Sequence, residues 1–137
     1  MTRDELIQQL NDWHEADEYE EIVDRIKEVP TMFIDDELAS HLGRALNNLG
    51  RYNEALKWFN KIGEEGRNDP LWHFRVGFAN YYLDRNEEAV AAFETAHEMD
   101  PEDEDTLTFL EWSRKAAAES PGEKNDSDDD ESEEADE

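Results

Sequence analysis

The chain contains no cysteine, which excludes disulfides, thiolate nucleophiles and cysteine-ligated zinc. Basic residues are scarce: 13 lysines and arginines stand against 39 aspartates and glutamates, a net charge of −26. Residues 119–137 hold eleven acids and one lysine, and without them 28 acids still face 12 bases. The body is therefore acidic as well as the end. Binding to nucleic acid gains most of its affinity from lysine and arginine clusters that displace counterions, so no nucleic-acid partner is expected. An anionic membrane surface would repel the chain for the same reason. No stretch approaches the ~18 apolar residues of a membrane span. The opening segment, Met1 to Leu10, lacks the apolar core of a signal peptide. A cytoplasmic location is the resulting expectation.

Chemistry-bearing patterns are also lacking. No GxGxxG, Walker A, GxSxG or HExxH motif occurs. The four histidines, His14, His41, His73 and His97, are scattered along the chain without paired ligand spacing. Carboxylates abound, but nothing marks a pocket that would shift one of them for acid–base work. From Asp100 to Glu111 there is a faint calcium-loop rhythm, yet Asp105 stands where such a loop requires glycine. No catalytic site, metal or cofactor is expected.

What the chain does have is an internal repeat. Shifting it by 34 residues pairs Gly43 with Gly77, Ala45 with Ala79, Leu49 with Leu83, Arg51 with Arg85 and Glu54 with Glu88. It also pairs Ala55 with Ala89, Phe59 with Phe93, Glu64 with Glu98 and Asp69 with Asp103. Composition alone would give roughly two identities, and a 34-residue period signals a helix–turn–helix array. Mid-helix glycine costs up to ~1 kcal/mol against alanine. Gly43 and Gly77 therefore imply close helix approach, with Ala55 and Ala89 small for the same reason and Phe59 and Phe93 filling the gap. Gly50 reads as a helix C-cap, Asn53 as the cap of the next helix, and Pro70 as a first-turn proline.

A weaker copy precedes this pair. Leu6, Leu10 and Trp13 form one helical stripe, and Tyr19, Ile22, Ile26 and Val29 another, with Asp17 as cap between them. Its spacing is one residue short, and Leu10 and Ile22 stand where the later copies have small residues. After Pro101, Leu107, Leu110 and Trp112 mark a helix over 104–118 that suits a solvated cap. Seven helices are thus expected, as three repeats (about 3–35, 36–69 and 70–103) and a cap within residues 1–118. From Ser120 onward the Pro-Gly, serine and acidic runs predict disorder.

Leu42-Gly43, Tyr52, Ala55 and Phe59, and then Val76-Gly77, Ala89, Phe93, Ala96 and Pro101, resemble the tetratricopeptide-repeat signature. Ala39, His73, Asn80 and Asn86 depart from it. The resemblance implies an all-α, right-handed solenoid of helical hairpins, acting as a non-catalytic scaffold that binds a peptide or helix in its concave groove. It further implies that the first helix of each repeat lines that groove. Phe74, Phe78, Tyr81 and Tyr82 then form an aromatic wall beside Ser40, Arg44, Asn47 and Asn48. Ile7, Asn11, His14, Thr108 and Trp112 are expected at the same face. A packing role against the cap helix is an open alternative for Phe74, Phe78 and Tyr82. So is an ordinary solvated role for Asn47 and Asn48, and pairing with a neighbouring carboxylate for Arg44. Trp58 and Trp72 read as packing residues. Ser40 and Arg44 stand where one subgroup of the family carries the lysine and first asparagine of a carboxylate clamp, so that clamp is not expected. The overall acidity favours a basic protein or peptide partner. A self-associating module, or one masking a basic partner through exposed ends near Trp13 and Trp112, is the alternative; either a monomer or a weak oligomer fits.

Overall fold

The computed structural model describes residues 1–119, and the disorder expected from Ser120 onward lies outside the described residues. Among the described residues the chain is all-α, with eight α-helices and one 3₁₀ turn. The helices are α1 (Arg3–Glu15), α2 (Tyr19–Lys27), α3 (Asp36–Asn48), α4 (Tyr52–Asn60), α5 (Glu64–Arg67), α6 (Pro70–Tyr82), α7 (Asn86–Met99) and α8 (Glu104–Glu119). The 3₁₀ turn Thr31–Phe33 lies between α2 and α3. None of the described helices is long and apolar enough to cross a membrane.

Helix starts follow local chemistry. Thr2 and Glu5 form a capping box on α1, each side chain accepting the other's backbone N–H at 3.1 and 2.9 Å. The Asp35 carboxylate accepts from Leu38 N to cap α3, and Asp69 accepts from Leu71 N to cap α6, whose first residue is Pro70.

The second helix of each hairpin starts differently. The backbone turns left-handed at Asp17, Gly50 and Asp84, with φ of 60°, 80° and 62°. The next N–H reaches back to close the preceding helix: Glu18 to Trp13 O, Arg51 to Leu46 O and Arg85 to Asn80 O, at 2.8–2.9 Å. That is the six-residue helix-ending bond of a Schellman turn. The backbone alone thus closes each corner, and α2, α4 and α7 carry no side-chain cap. Asp17 therefore ends α1 rather than capping α2, and Asn53 lies inside α4.

The eighth helix is α5, in the link from α4 to α6, where seven were expected. Arg67 anchors this link, donating to Ile62 O at 2.7 Å and Asn60 O at 2.8 Å while its guanidinium lies 4.8 Å from the Trp72 ring.

Packing repeats along the chain. A Cβ built on Gly43 would fall 2.5 Å from Phe59 Cε1, and one on Gly77 would fall 2.8 Å from Phe93 Cε1. Both rings are fully buried. Each phenylalanine of a second helix thus occupies the space of a missing methyl on the first. The α3–α4 and α6–α7 hairpins are closely packed, whereas α1–α2 is the loosest of the three. There the fully buried Leu10 and Ile22 stand where the later hairpins have small residues, and α2 packs mainly on α3. On α8 the buried stripe is Thr106, Leu110 and Ser113, with Phe109 half-buried beside it. Leu107, expected on one face with Leu110, is 39% exposed, and Trp112, expected on that face and at the groove, is 48% exposed. Trp58 and Trp72 pack against the core, and the Trp72 indole donates to Phe59 O at 2.9 Å.

One buried charge ties the first two hairpins together. The Glu54 side chain on α4, 3% exposed, accepts from Lys27 Nζ of α2 at 2.6 Å and from Arg51 Nη2 and Nε at 2.7 and 3.1 Å. This accounts for one half of the Arg51/Glu54 and Arg85/Glu88 pairing across the repeat.

Candidate functional site

The seam between α3 and α6 opens into two adjoining clefts. One, of about 530 Å³, is lined by Tyr19 of α2, by Arg44, Asn47 and Asn48 of α3, and by Leu71, Phe74, Arg75 and Phe78 of α6. The other, about 370 Å³, shares Arg44 and Arg75 and extends past Ser40 and His41 toward Asp36, Glu37 and Asp69. The larger cleft contains two arginines and no acid, in a chain with 39 acids among 137 residues.

Both guanidiniums are half-buried, and neither forms an ion pair with a carboxylate among the described residues. Arg75 donates to Ser40 Oγ at 3.1 Å, a neutral acceptor. Burial and then the neighbouring Arg44 lower its pKa to about 10, against a smaller opposing effect of Asp69. It stays charged at neutral pH. A half-buried cation beside a like charge is costly unless something anionic meets it. Arg44 is therefore not paired with a neighbouring carboxylate, the alternative left open by the sequence. Arg75 had no sequence signal beyond lying one turn from both Leu71 and Phe78. Its importance comes from α3, which supplies the second arginine.

The remaining expected residues separate into three settings. Asn47, 5% exposed, is a cross-brace whose Nδ2 donates to Arg75 O at 3.1 Å. Its Oδ1 is buried without a partner. Asn48 is exposed at the rim, with Nδ2 donating to Arg44 O. Phe74 and Phe78 line the cleft and also meet Phe109 of α8, with ring centroids 5.6 and 5.5 Å away. They are shared between wall and cap packing.

Tyr81 and Tyr82 leave this wall. Tyr81 faces Phe109 and Trp112 and lines a separate cleft with Lys115 and Glu119. Tyr82, 46% exposed, stacks on Tyr52 at 5.4 Å and 13°. The four aromatics remain one contiguous ring cluster, with Phe78 and Tyr81 centroids 4.9 and 5.0 Å from that of Tyr82, but only Phe74 and Phe78 line the cleft. Phe109, which sequence reading left unassigned, is the hub of this cluster. Thr108 is solvent-exposed, as is Asn11.

His14, expected at the groove, is 6% exposed and meets His41 across the α1–α3 seam, Nε2 to Nδ1 at 3.0 Å. Two histidines scattered in sequence are therefore adjacent in space. Among the described residues no group of three or more histidine or acidic side chains is arranged to hold a metal ion. Burial first, then Arg44, His41 and Arg75, lower the His14 pKa to about 3. His41 is also lowered, chiefly by burial, with Glu37 opposing.

A histidine kept neutral in the fold contributes stability above its unfolded pKa of about 6.5. As pH falls from 6.5 toward 3, the unfolded chain gains a proton that folded His14 refuses, at a cost of up to ~1.4 kcal/mol per pH unit. Urea unfolding at pH 6.5 and 5.0 should therefore show wild type losing about 2 kcal/mol more than His14→Gln over that interval. Parallel pH profiles for the two would contradict this.

No curated protein sequence matches the chain. A family model described as tetratricopeptide repeat matches residues 1–95, from α1 through most of α7. Together with the repeated glycine–phenylalanine packing and the three alike hairpin corners, that match identifies the chain as a member of the tetratricopeptide-repeat family.

Proposed function

We propose that the protein is a non-catalytic interaction scaffold whose α3–α6 cleft holds an extended segment of a partner protein that carries at least one carboxylate. The family favours a protein-binding role. The observation that carries the finer reading is the pair of half-buried arginines, with no carboxylate partner among the described residues, in an acid-free cleft. A guanidinium fork offers two parallel donors to a carboxylate. Leu71, Phe74 and Phe78 supply apolar area beside it, and Asn48 supplies an exposed amide at the rim. The basic partner expected from net charge does not suit this cleft, where local charge has the opposite sign. At physiological salt, charges beyond ~8 Å are largely screened, so acids outside the two clefts count little, while Asp36, Glu37 and Asp69 in the adjoining cleft face the same two arginines.

Arg44→Glu is the direct test, since the side chain is only half-buried and makes no ion pair to lose. A charge-assisted hydrogen bond contributes about 1.5–3 kcal/mol, so affinity for a segment recovered by affinity capture should fall about 10- to 100-fold. Far-UV helicity should be unchanged. Phe78→Ala is a poorer probe, because its ring also supports Phe109. Equal capture by Arg44→Glu and wild type would reject the site.

A further inference from the structure

We infer that the partner segment held between α3 and α6 carries its charges in a fixed order. A basic residue meets Asp36 and Asp69, a carboxylate three positions along meets Arg44 and Arg75, and an apolar side chain lies beyond, against Phe74 and Phe78. The inference rests on reading the larger cleft as carboxylate-accepting, and it adds a subsite for a cation in the smaller one.

The order is set by how the two helices lie. The smaller cleft takes Asp36 to Arg44 of α3 with Asp69 to Arg75 at the start of α6, and the larger takes Arg44 to Asn48 with Leu71 to Phe78. Numbers rise together along the seam, so both helices run in the same sense. Acids therefore stand at one end, the two arginines in the middle, and Phe74, Phe78 and Asn48 at the other end. Asp36 precedes Arg44 by eight residues and Asp69 precedes Arg75 by six, about 12 and 9 Å at 1.5 Å per residue.

Opposite charges face each other along this seam without meeting. Among the described residues no carboxylate pairs with Arg44 or Arg75, and neither Asp36 nor Asp69 pairs with a cation. Glu37 is held by Arg3 at 2.9 Å, whereas Asp36 has only a 3.4 Å bond from Gly63 N, and Asp69 uses one oxygen to cap α6. A segment bearing a carboxylate alone would carry its charge toward these acids. A basic residue at their spacing turns that repulsion into attraction. Three residues of a polyproline-type strand advance about 9 Å and return to the same face, and a lysine stem spans the remainder. Asn47 gives an independent sign of an occupant. It lines the larger cleft at 5% exposure with its Oδ1 unpartnered, and the backbone of a bound segment supplies N–H donors.

Blocked hexapeptides test the order in the full chain. Acetyl-Lys-Ala-Ala-Glu-Ala-Leu-amide and its reversed sequence cover both chain directions, and each is also made with glutamine for lysine or for glutamate. Amide signals of Ser40, Asn48 and Arg75 report binding. In one direction the doubly charged peptide should bind about fivefold more tightly than its glutamate-only version, the scale of one exposed ion pair. That advantage should vanish in Asp36→Asn/Asp69→Asn, where asparagine still caps α6. The glutamate-only peptide should bind this variant at least as well as wild type, which also shows that the cleft is folded.

Equal binding of the doubly charged and glutamate-only peptides in both directions would overturn the charge order and leave the carboxylate site standing. An advantage that survives the asparagine replacements would do the same. Binding that ignores the glutamate, or no shift of these signals at millimolar peptide, would overturn both readings.

Discussion

Phe59→Ala is expected to lower the unfolding free energy by about 4 kcal/mol, within the 3–5 kcal/mol typical of emptying a buried phenylalanine site. Small domains have only about 5–15 kcal/mol to lose, so part of the population should be unfolded at growth temperature. The ring is fully buried between α3 and α4, and its edge occupies the place of the Cβ that Gly43 lacks. The cause is therefore specific and can be separated from general core damage. Gly43→Ala alone should cost about 2 kcal/mol by overpacking, despite the better helix propensity of alanine. In the Phe59→Ala background the same change should cost almost nothing, since the new methyl enters the vacated space. Urea unfolding of the four variants measures this coupling. Additive losses would show that the ring and the glycine do not share one volume.

Glu54→Ala should cost about 3 kcal/mol, at the lower end of what removing one member of a buried ion pair costs. The Glu54 side chain is only 3% exposed, whereas those of Lys27 and Arg51 are about 30% exposed and regain some water when it is removed. Glu54→Gln keeps an acceptor oxygen and the volume, and should lose roughly half as much. Because the carboxylate is screened from solvent, the deficit should persist in 0.5 M salt, unlike that of the half-exposed Arg3 pairs with Asp35 and Glu37. Thermal unfolding at two salt concentrations distinguishes these cases. A loss below 0.5 kcal/mol for Glu54→Ala would mean that the contact adds nothing to the joint between the first two hairpins.

Much of the architecture was legible because it depends on residues whose constraints are local or repeated. Gly43 and Gly77 recur at one period with Phe59 and Phe93, and each mid-helix glycine faces a large ring on the other helix of its own hairpin. Left-handed corners and first-turn caps are likewise set by a few adjacent residues. Errors arose where one backbone interaction replaced another. Asp17 and Asn53 looked like side-chain caps, but the corner is closed by main-chain bonds that any residue provides. On α8 the pairing of Leu107 with Leu110 points one residue away from the buried stripe, because Thr106 and Ser113 carry no hydrophobic signal. The two small polar residues are nevertheless buried, at 2% and 0% exposed.

The cleft was less legible, since its properties belong to pairs of helices. Periodicity assigned Phe74, Phe78, Tyr81 and Tyr82 to one stripe, but it could not foresee that Phe109 of α8 would pack against all four and leave only Phe74 and Phe78 lining the cleft. Nor could it show that Arg44 and Arg75, 31 positions apart, would meet without a carboxylate, or that His14 and His41 would share a hydrogen bond. Residue order was enough for the hairpins, their register and the acidity of the chain, because these follow from spacing, propensity and composition. Which charges lost their water, and which found no counterion, depended on how α1, α3, α6 and α8 came together, because desolvation and Coulomb energy depend on distance through space rather than along the chain.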